Sequence, residues 1–171
     1  MVKPGITVGR LYRIPAIGDM TGFTQVVFKR RAGQYFFVVF RDLAPTAEEP
    51  NLEAVVNGDI ALAGFGMDGK IHAGHWTLAG SAPLSPHVSY PAFRSPLGDG
   101  TFAVIDLFND RSRAATDDEA RVLRNESCAM PALFEEGLKA IHGFGEWYKN
   151  YDKYIPDENQ SVTRFFGPAS E

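Results

Sequence analysis

A run of apolar residues at positions 35–40 limits the folds open to this chain more than any other feature. Its letters are YFFVVF, so both alternating sides of the run are apolar. Because successive side chains of a strand point to opposite faces, such a strand is stable only when both faces are covered. We therefore predict a central strand, with Phe36, Val38 and Phe40 buried on one face and the residues between them covered on the other by helices or a second sheet layer.

The strand before this run is predicted at residues 23–29, and residues 30–33 join the two. Gly33 ends that connection, and glycine can take the positive φ that a tight hairpin needs. Short runs rich in β-branched and aromatic residues predict further strands, while proline-rich stretches predict irregular loops. The further strands are predicted at residues 8–14, 55–62, 71–78 and 101–108, with 55–62 and 71–78 paired through a turn at 67–70, and the loops at 43–50 and 83–96.

After residue 108 the apolar period changes from two to that of a helix. Thr116 and Glu119 have the spacing of a capping box, which predicts a helix beginning there. Pro131 and Gly143 suit the start and the end of a second helix. Four aromatic residues then repeat at helical spacing, and we predict that they pack on the core as Trp76 does, a recognition surface being the alternative; they are Phe144, Trp147, Tyr148 and Tyr151.

These elements predict an α+β fold. We expect a single domain over residues 1–171, with an antiparallel β-sheet that is strongly bent or partly barrel-like, followed by two to three C-terminal helices. A length of 171 residues with 44% hydrophobic residues is enough for one sizeable core and too short for two domains of ordinary size. The expected parts are a β-rich region at 5–110, a helical region at 116–155 and a loose tail at 156–171.

The expected location is cytoplasmic. No apolar run reaches the length of a membrane span, and the first residues lack the layout of a secretory signal. Cys128 is the single cysteine, so it has no partner for an internal disulfide, which fits a reducing compartment.

Three short patterns resemble known sites, and we interpret each as structural. Residues 64–69 match GxGxxG, but a dinucleotide site needs a helix after that motif, and the following residues are typical of a strand. His72 and His75 would point to opposite faces of such a strand, so we predict no metal site. Cys128 and His142 lack an evident third group that would orient them as nucleophile and base, so we expect a packing role for the cysteine. No cofactor is predicted.

The candidate binding surface is acidic. Five carboxylates follow one another near the end of the last predicted strand, and they are Asp106, Asp110, Asp117, Asp118 and Glu119. Paired carboxylates can serve acid–base chemistry or can attract a basic partner. We interpret them as a docking surface. The alternative is a small-ligand-binding or hydrolytic enzyme domain that uses the region of Asp106 and Asp110, or the strand of His72 and His75.

Charge is uneven along the chain. Residues 1–41 carry seven basic side chains and one acid, although the formal net charge of the whole chain is −4. Lys29, Arg30 and Arg31 lie together at the predicted hairpin tip, and such a cluster is one feature of nucleic-acid-binding β-modules. We regard nucleic-acid binding as an alternative function, because hairpin tips are commonly charged for solubility.

Four short segments of the chain are GRLYRIP at 9–15, WTLAG at 76–80, PAFR at 91–94 and LKAIHGFGEW at 138–147. Together they resemble the Immunity protein 26 family of bacterial polymorphic-toxin systems. The similarity extends over roughly residues 5–155. It implies a small cytoplasmic protein that binds and neutralises a cognate toxin, and it implies no catalytic residues. We therefore expect an immunity-type binding protein, not an enzyme, whose partner is a toxin protein, with no membrane partner.

Overall fold

The apolar run and the strand before it form a hairpin at the centre of the larger sheet that the structure describes. The computed structural model describes residues 5–31 and 33–168, so Ala32 of the predicted turn and the last three residues of the predicted tail lie outside it. The chain has an α+β fold. Its strands are β1 (Arg10–Pro15), β2 (Met20–Arg31), β3 (Gln34–Phe40), β4 (Ala44–Pro45), β5 (Ile60–Met67), β6 (Thr77–Ser81), β7 (Phe93–Pro96), β8 (Phe102–Asp106), β9 (Arg111–Ala114) and β10 (Cys128–Ala129).

In the described part of the chain, five short helices and two 3₁₀ segments accompany the strands. The helices are α1 (Leu52–Val56), α2 (Gly69–His72), α3 (Asp117–Val122), α4 (Pro131–Ile141) and α5 (Val162–Phe166), and the 3₁₀ segments are Lys149–Tyr154 and Glu158–Gln160. The two predicted helix starts are confirmed. Thr116 caps α3 in a capping box with Glu119, and Pro131 occupies the first turn of α4.

Contacts group the described residues into two compact units, each of which has its own sheet. The larger unit contains the described residues up to Val88 and residues Cys128–Ile155. The smaller unit contains Ser89–Ser127 and the described residues from Pro156 onward. Each unit therefore consists of two separate stretches of the chain.

The sheet of the larger unit has the strand order β10-β5-β3-β2-β1-β6, with β4 paired to β2. The predicted central strand is confirmed, because β3 lies between β2 and β5 and all seven of its residues are buried. Phe36 meets Phe65 on one face, and Phe37 meets Trp76 and Phe134 on the other. Most pairs are antiparallel, but β10 runs parallel to β5, and the sheet stays open with β10 and β6 at its edges.

The predicted pairing of residues 55–62 with 71–78 is wrong. The Asn51 side chain accepts a hydrogen bond from the backbone N–H of Ala54 at 3.1 Å, and this cap starts α1 where a strand was expected. Strand β5 pairs with β3, while β6 pairs with β1. Between β5 and β6 the chain forms the four-residue helix α2. Periodicity alone does not separate so short a helix from a strand.

The smaller unit has the three-stranded antiparallel sheet β7-β8-β9. Strand β7 lies at the end of the stretch predicted as an irregular loop, and β9 was not predicted. The expectation of a loose tail is also wrong, since the tail contains a 3₁₀ segment and α5. Its Gln160 side chain is buried, donates to the carbonyl of Val122 at 2.8 Å and accepts from the N–H of Arg124 at 3.0 Å. These bonds tie the tail into the smaller unit.

Candidate functional site

Asp106, the first of the five predicted acidic residues, is buried at the end of β8. Its Oδ1 accepts hydrogen bonds from the backbone N–H of Phe108 at 2.9 Å and of Asn109 at 3.2 Å. Its Oδ2 accepts from the Asn109 side chain at 2.9 Å and from Arg111 Nε at 2.9 Å. Both oxygens are therefore used inside the β8–β9 turn.

This environment removes Asp106 from the predicted docking surface, and that part of the prediction is wrong. Burial raises the pKa of Asp106, but the hydrogen bonds from Asn109, Arg111 and the backbone outweigh burial and hold the pKa below its ordinary value. A carboxylate whose acceptors are all occupied is a poor general acid or base. The observed role of Asp106 is to organise the turn that starts β9.

Glu119 is also engaged within the smaller unit. Arg113 donates to its two carboxylate oxygens at 2.8 and 2.7 Å, and the N–H of Thr116 donates to Oε2 at 2.9 Å. The hydrogen bonds from Arg113 are the largest cause of a pKa lowered to about 2. Glu119 thus fixes the start of α3 and pairs with an arginine of β9.

The other three predicted residues, Asp110, Asp117 and Asp118, are exposed. Asp118 pairs with Arg121 at 2.9 Å. Asp110 has a φ of 52°, a left-handed conformation that the four-residue turn between β8 and β9 requires. The surface is consequently smaller than predicted and interrupted by arginines, which weakens its attraction for a basic partner.

The predicted basic cluster lies at the end of β2, where Lys29, Arg30 and Arg31 are all exposed. Two of the three have contacts within the larger unit. The Arg30 guanidinium lies 5.7 Å from the ring centroid of Phe65, and Arg31 Nε donates to Gln34 Oε1 at 2.9 Å. These contacts hold two of the three cations against other side chains of the larger unit.

The two histidines predicted on a strand do not lie on one. His72 ends α2, and its Nε2 is 3.0 Å from Oδ2 of Asp68. His75 is exposed in the segment after α2. Within residues 5–31 and 33–168, the structure contains no group of three or more His, Cys, Asp or Glu side chains placed to hold a metal ion.

Cys128 and His142 are also separate in their contacts. Cys128 is exposed in the edge strand β10, so the expectation that it packs in the core is wrong. His142 Nε2 lies 2.7 Å from the carbonyl oxygen of Arg41. This contact joins the end of α4 to the residue that follows β3.

Residues 144–148, here called the aromatic segment, are exposed, although their aromatic residues were predicted to pack on the core. The exposed fractions are 48% for Phe144, 39% for Trp147 and 55% for Tyr148. Of the predicted aromatic set only Tyr151 is buried, while Trp76 is buried as predicted. Helix α4 ends where Gly143 takes a φ of 78°. Residues 144–148 form no new helix, despite the helical spacing of their aromatic side chains.

The aromatic segment is held by defined contacts. Trp147 Nε1 donates to Asp152 Oδ1 at 2.8 Å, and the Tyr148 hydroxyl donates to Glu146 Oε2 at 3.0 Å. The rings of Trp147 and Tyr148 each meet the Tyr151 ring edge to face, with centroid distances of 5.2 and 5.7 Å. The segment therefore presents large aromatic surfaces in a fixed arrangement. A signal for this was the pair of glycines at 143 and 145.

The buried carboxylate of Glu135 lies near the middle of α4. Lys70 donates to Glu135 Oε2, Trp76 Nε1 donates to the same oxygen at 3.4 Å, and Lys139 donates to Oε1 at 3.2 Å. Burial raises the pKa of Glu135, and the hydrogen bonds from Lys70 and Lys139 outweigh it, so the pKa is lowered. This network joins α2 to α4 and engages both carboxylate oxygens.

None of the helices in the described part of the chain is long and apolar enough to cross a membrane. Comparisons of the chain with protein-family models, with curated proteins and with solved structures found no match.

Proposed function

We propose that this chain is an immunity-type protein of the cytoplasm that neutralises a cognate toxin by binding it directly. The observation that carries the proposal is the aromatic segment, which exposes three large aromatic side chains on a hydrogen-bonded frame. Tyrosine and tryptophan are enriched among the residues that dominate binding energy at protein interfaces. Because the Trp147 and Tyr148 side chains are already held in place, little conformational entropy is lost when a partner covers them.

The resemblance to immunity proteins supplies the class of partner. Part of that resemblance, residues 138–147, contains the second half of α4 and most of the aromatic segment. The exposed surface and the resemblance thus point to the same stretch of the chain. In this proposal the aromatic segment replaces the five predicted carboxylates as the main docking surface, because Asp106 is buried and Glu119 is paired.

The direct test is growth rescue. Expression of the product of the neighbouring gene should stop growth, and co-expression of this chain should restore it. A Trp147→Ala variant should rescue poorly, whereas Leu97→Ala, which removes an exposed apolar side chain of the smaller unit, should rescue like the wild type. A toxic neighbour whose effect this chain leaves unchanged would rule out the proposed function.

A binding measurement separates the surface from the function. Loss of a central aromatic residue at an interface costs about 2 kcal/mol or more, which corresponds to roughly thirtyfold in Kd. Calorimetry with the purified toxin should show this loss for Trp147→Ala and almost none for Leu97→Ala. If rescue occurs and Trp147→Ala binds normally, the toxin uses another surface.

A further inference from the structure

A cavity of about 140 Å³ opens in the larger unit, beside the turn that follows β3. Its floor contains the rings of Phe23 and Phe40, both buried, and Leu43 and Val55 also contact it. A cavity of about 150 Å³ is large enough for benzene. A four-carbon chain has about the same volume as benzene and fits the space.

One carboxylate lies among these apolar groups. Asp42 contributes to the lining, is exposed, and has no hydrogen bond or ion pair with any residue that the structure describes. Its Oδ2 lies 4.0 Å from the position that a Cβ on Gly58 would occupy, and Gly58 is itself part of the lining. The cavity therefore combines an apolar interior with one unpaired negative charge.

The surrounding chain is acidic as well. Residues 42–59, which supply all of the lining except the two phenylalanines, contain five acids and no base. Among the described residues only one of the five, Glu49, has an ion pair, at 3.6 Å to Arg13. The four remaining carboxylates leave a negative potential around the cavity, which attracts a cationic group. The residue directly before this stretch, Arg41, is basic.

We propose that this cavity binds a lysine or arginine side chain of a basic partner protein. The aliphatic stem of that side chain packs on Phe23, Phe40 and Leu43, and its cationic head pairs with Asp42. Long basic side chains commonly bury the stem on apolar surface while the charged head stays in water. The proposal rests on the proposed function and deepens it, because it assigns a charge and an anchor to the partner.

The aromatic segment begins close to this cavity. His142 Nε2 contacts the carbonyl oxygen of Arg41, and Arg41 is the residue before Asp42. The first aromatic residue, Phe144, follows His142 by two positions, a span of at most about 7 Å. The cavity and the aromatic segment can therefore contribute to one interface within the larger unit.

The test uses small probes with the full chain. Butylammonium carries the stem and the cation, and 1-butanol is a neutral molecule of similar size. In NMR titrations at low salt, both should shift amides of residues 40–44 and 54–58. Butylammonium should bind about two- to fivefold more tightly, the range expected for one exposed ion pair.

Two variants and one control define the result. Asp42→Asn should remove the preference for butylammonium and keep the binding of 1-butanol, while Ala54→Leu should block both probes by filling the cavity from α1. Glu53→Gln changes an exposed acid of α1 that does not line the cavity, and it should keep most of the preference. Absence of shifts in these segments, or a preference that survives in Asp42→Asn, would overturn the assignment.

The outcome is independent of the test of function. If the toxin is neutralised but butylammonium shows no preference, the cavity assignment is wrong and the proposed function stands. If the probe binds as described but the neighbouring product is neither toxic nor bound, the proposed function is wrong and the cavity remains a site for basic alkyl groups.

Discussion

Glu135 provides the sharpest test of the energetics. The exposed fraction of its side chain is 10%, and those of Lys70 and Lys139 are 25% and 21%. Replacing it with glutamine keeps the size but removes one oxygen and the charge, so Lys70 loses its ionic partner and Lys139 loses one of the two carboxylates that it contacts. Loss of one partner of a fully buried pair costs about 3–5 kcal/mol, and exposed pairs contribute about 0–1 kcal/mol. Because both lysines keep access to water, we expect Glu135→Gln to lower the free energy of unfolding by about 1.5–3 kcal/mol.

The matched control is Glu136→Gln. Glu136 is the next residue on α4 and binds the same Lys139 at 2.9 Å, but its side chain is 53% exposed. Its replacement should cost less than about 0.5 kcal/mol. Urea unfolding followed by tryptophan fluorescence is a suitable assay, because Trp76 and Trp147 both lie in the larger unit. Equal stabilities of the two variants would refute the argument that burial makes the Glu135 network strong.

The pH dependence gives a second check on Glu135. Its folded-state pKa is lowered from an ordinary value of 4.5. A carboxylate with a lowered pKa stabilises the fold fully above its unfolded-state pKa, and this contribution is lost as the pH falls through the folded-state value. The difference in stability between the wild type and Glu135→Gln should therefore be constant near neutral pH and should shrink below pH ~4.5. A difference that grows on acidification would show that the sign is wrong.

Three further variants and one control test local features. Asp110→Gly should stabilise the β8–β9 turn by about 0.5 kcal/mol, because glycine takes a positive φ without strain, and amide hydrogen exchange in the smaller unit would show it. Thr116→Ala should cost about 1 kcal/mol through loss of the α3 cap, with faster exchange of the first-turn amides, and unchanged exchange would contradict the cap's role. Gly64→Ala would place a Cβ 2.4 Å from Tyr154 Cδ1 and should cost about 1–3 kcal/mol in urea unfolding, while Gly69→Ala, which has nothing within 4 Å, should be nearly neutral.

Local patterns in the sequence predicted those parts of the fold that consecutive residues specify. The apolar run of β3 and the capping box of α3 are both visible in a few consecutive residues, and both predictions are confirmed, although the elements that cover β3 lie far away in the chain. The glycines at 64 and 66, which begin the GxGxxG match, lie in β5, where a Cβ on Gly66 would be 2.7 Å from the ring of Phe134. That requirement comes from a helix about seventy residues later in the chain, so no local pattern could indicate it.

The candidate site was harder to predict for the same reason. The sequence around an acidic residue does not show whether an arginine will pair with it. Asp106 pairs with Arg111 because the β8–β9 turn places the two side chains next to each other. The cavity near Asp42 depends on α1 lying against the end of β3, which are separate elements in the sequence. Helical spacing misplaced the aromatic segment because the chain after Gly143 stays irregular through Tyr148 and forms a 3₁₀ segment only at Lys149–Tyr154.

The route of the chain has a consequence for synthesis on the ribosome. The chain builds most of the larger sheet first, then residues Ser89–Ser127 of the smaller unit, and only afterwards the helix whose Phe134 covers Phe37. The smaller unit is complete only after Gln160 is synthesised, because Gln160 hydrogen-bonds to Val122 and Arg124, which precede it by more than thirty residues. Neither core can close until most of the polypeptide has emerged, so the nascent chain carries an uncovered apolar sheet face while residues 82–130, between β6 and α4, are synthesised.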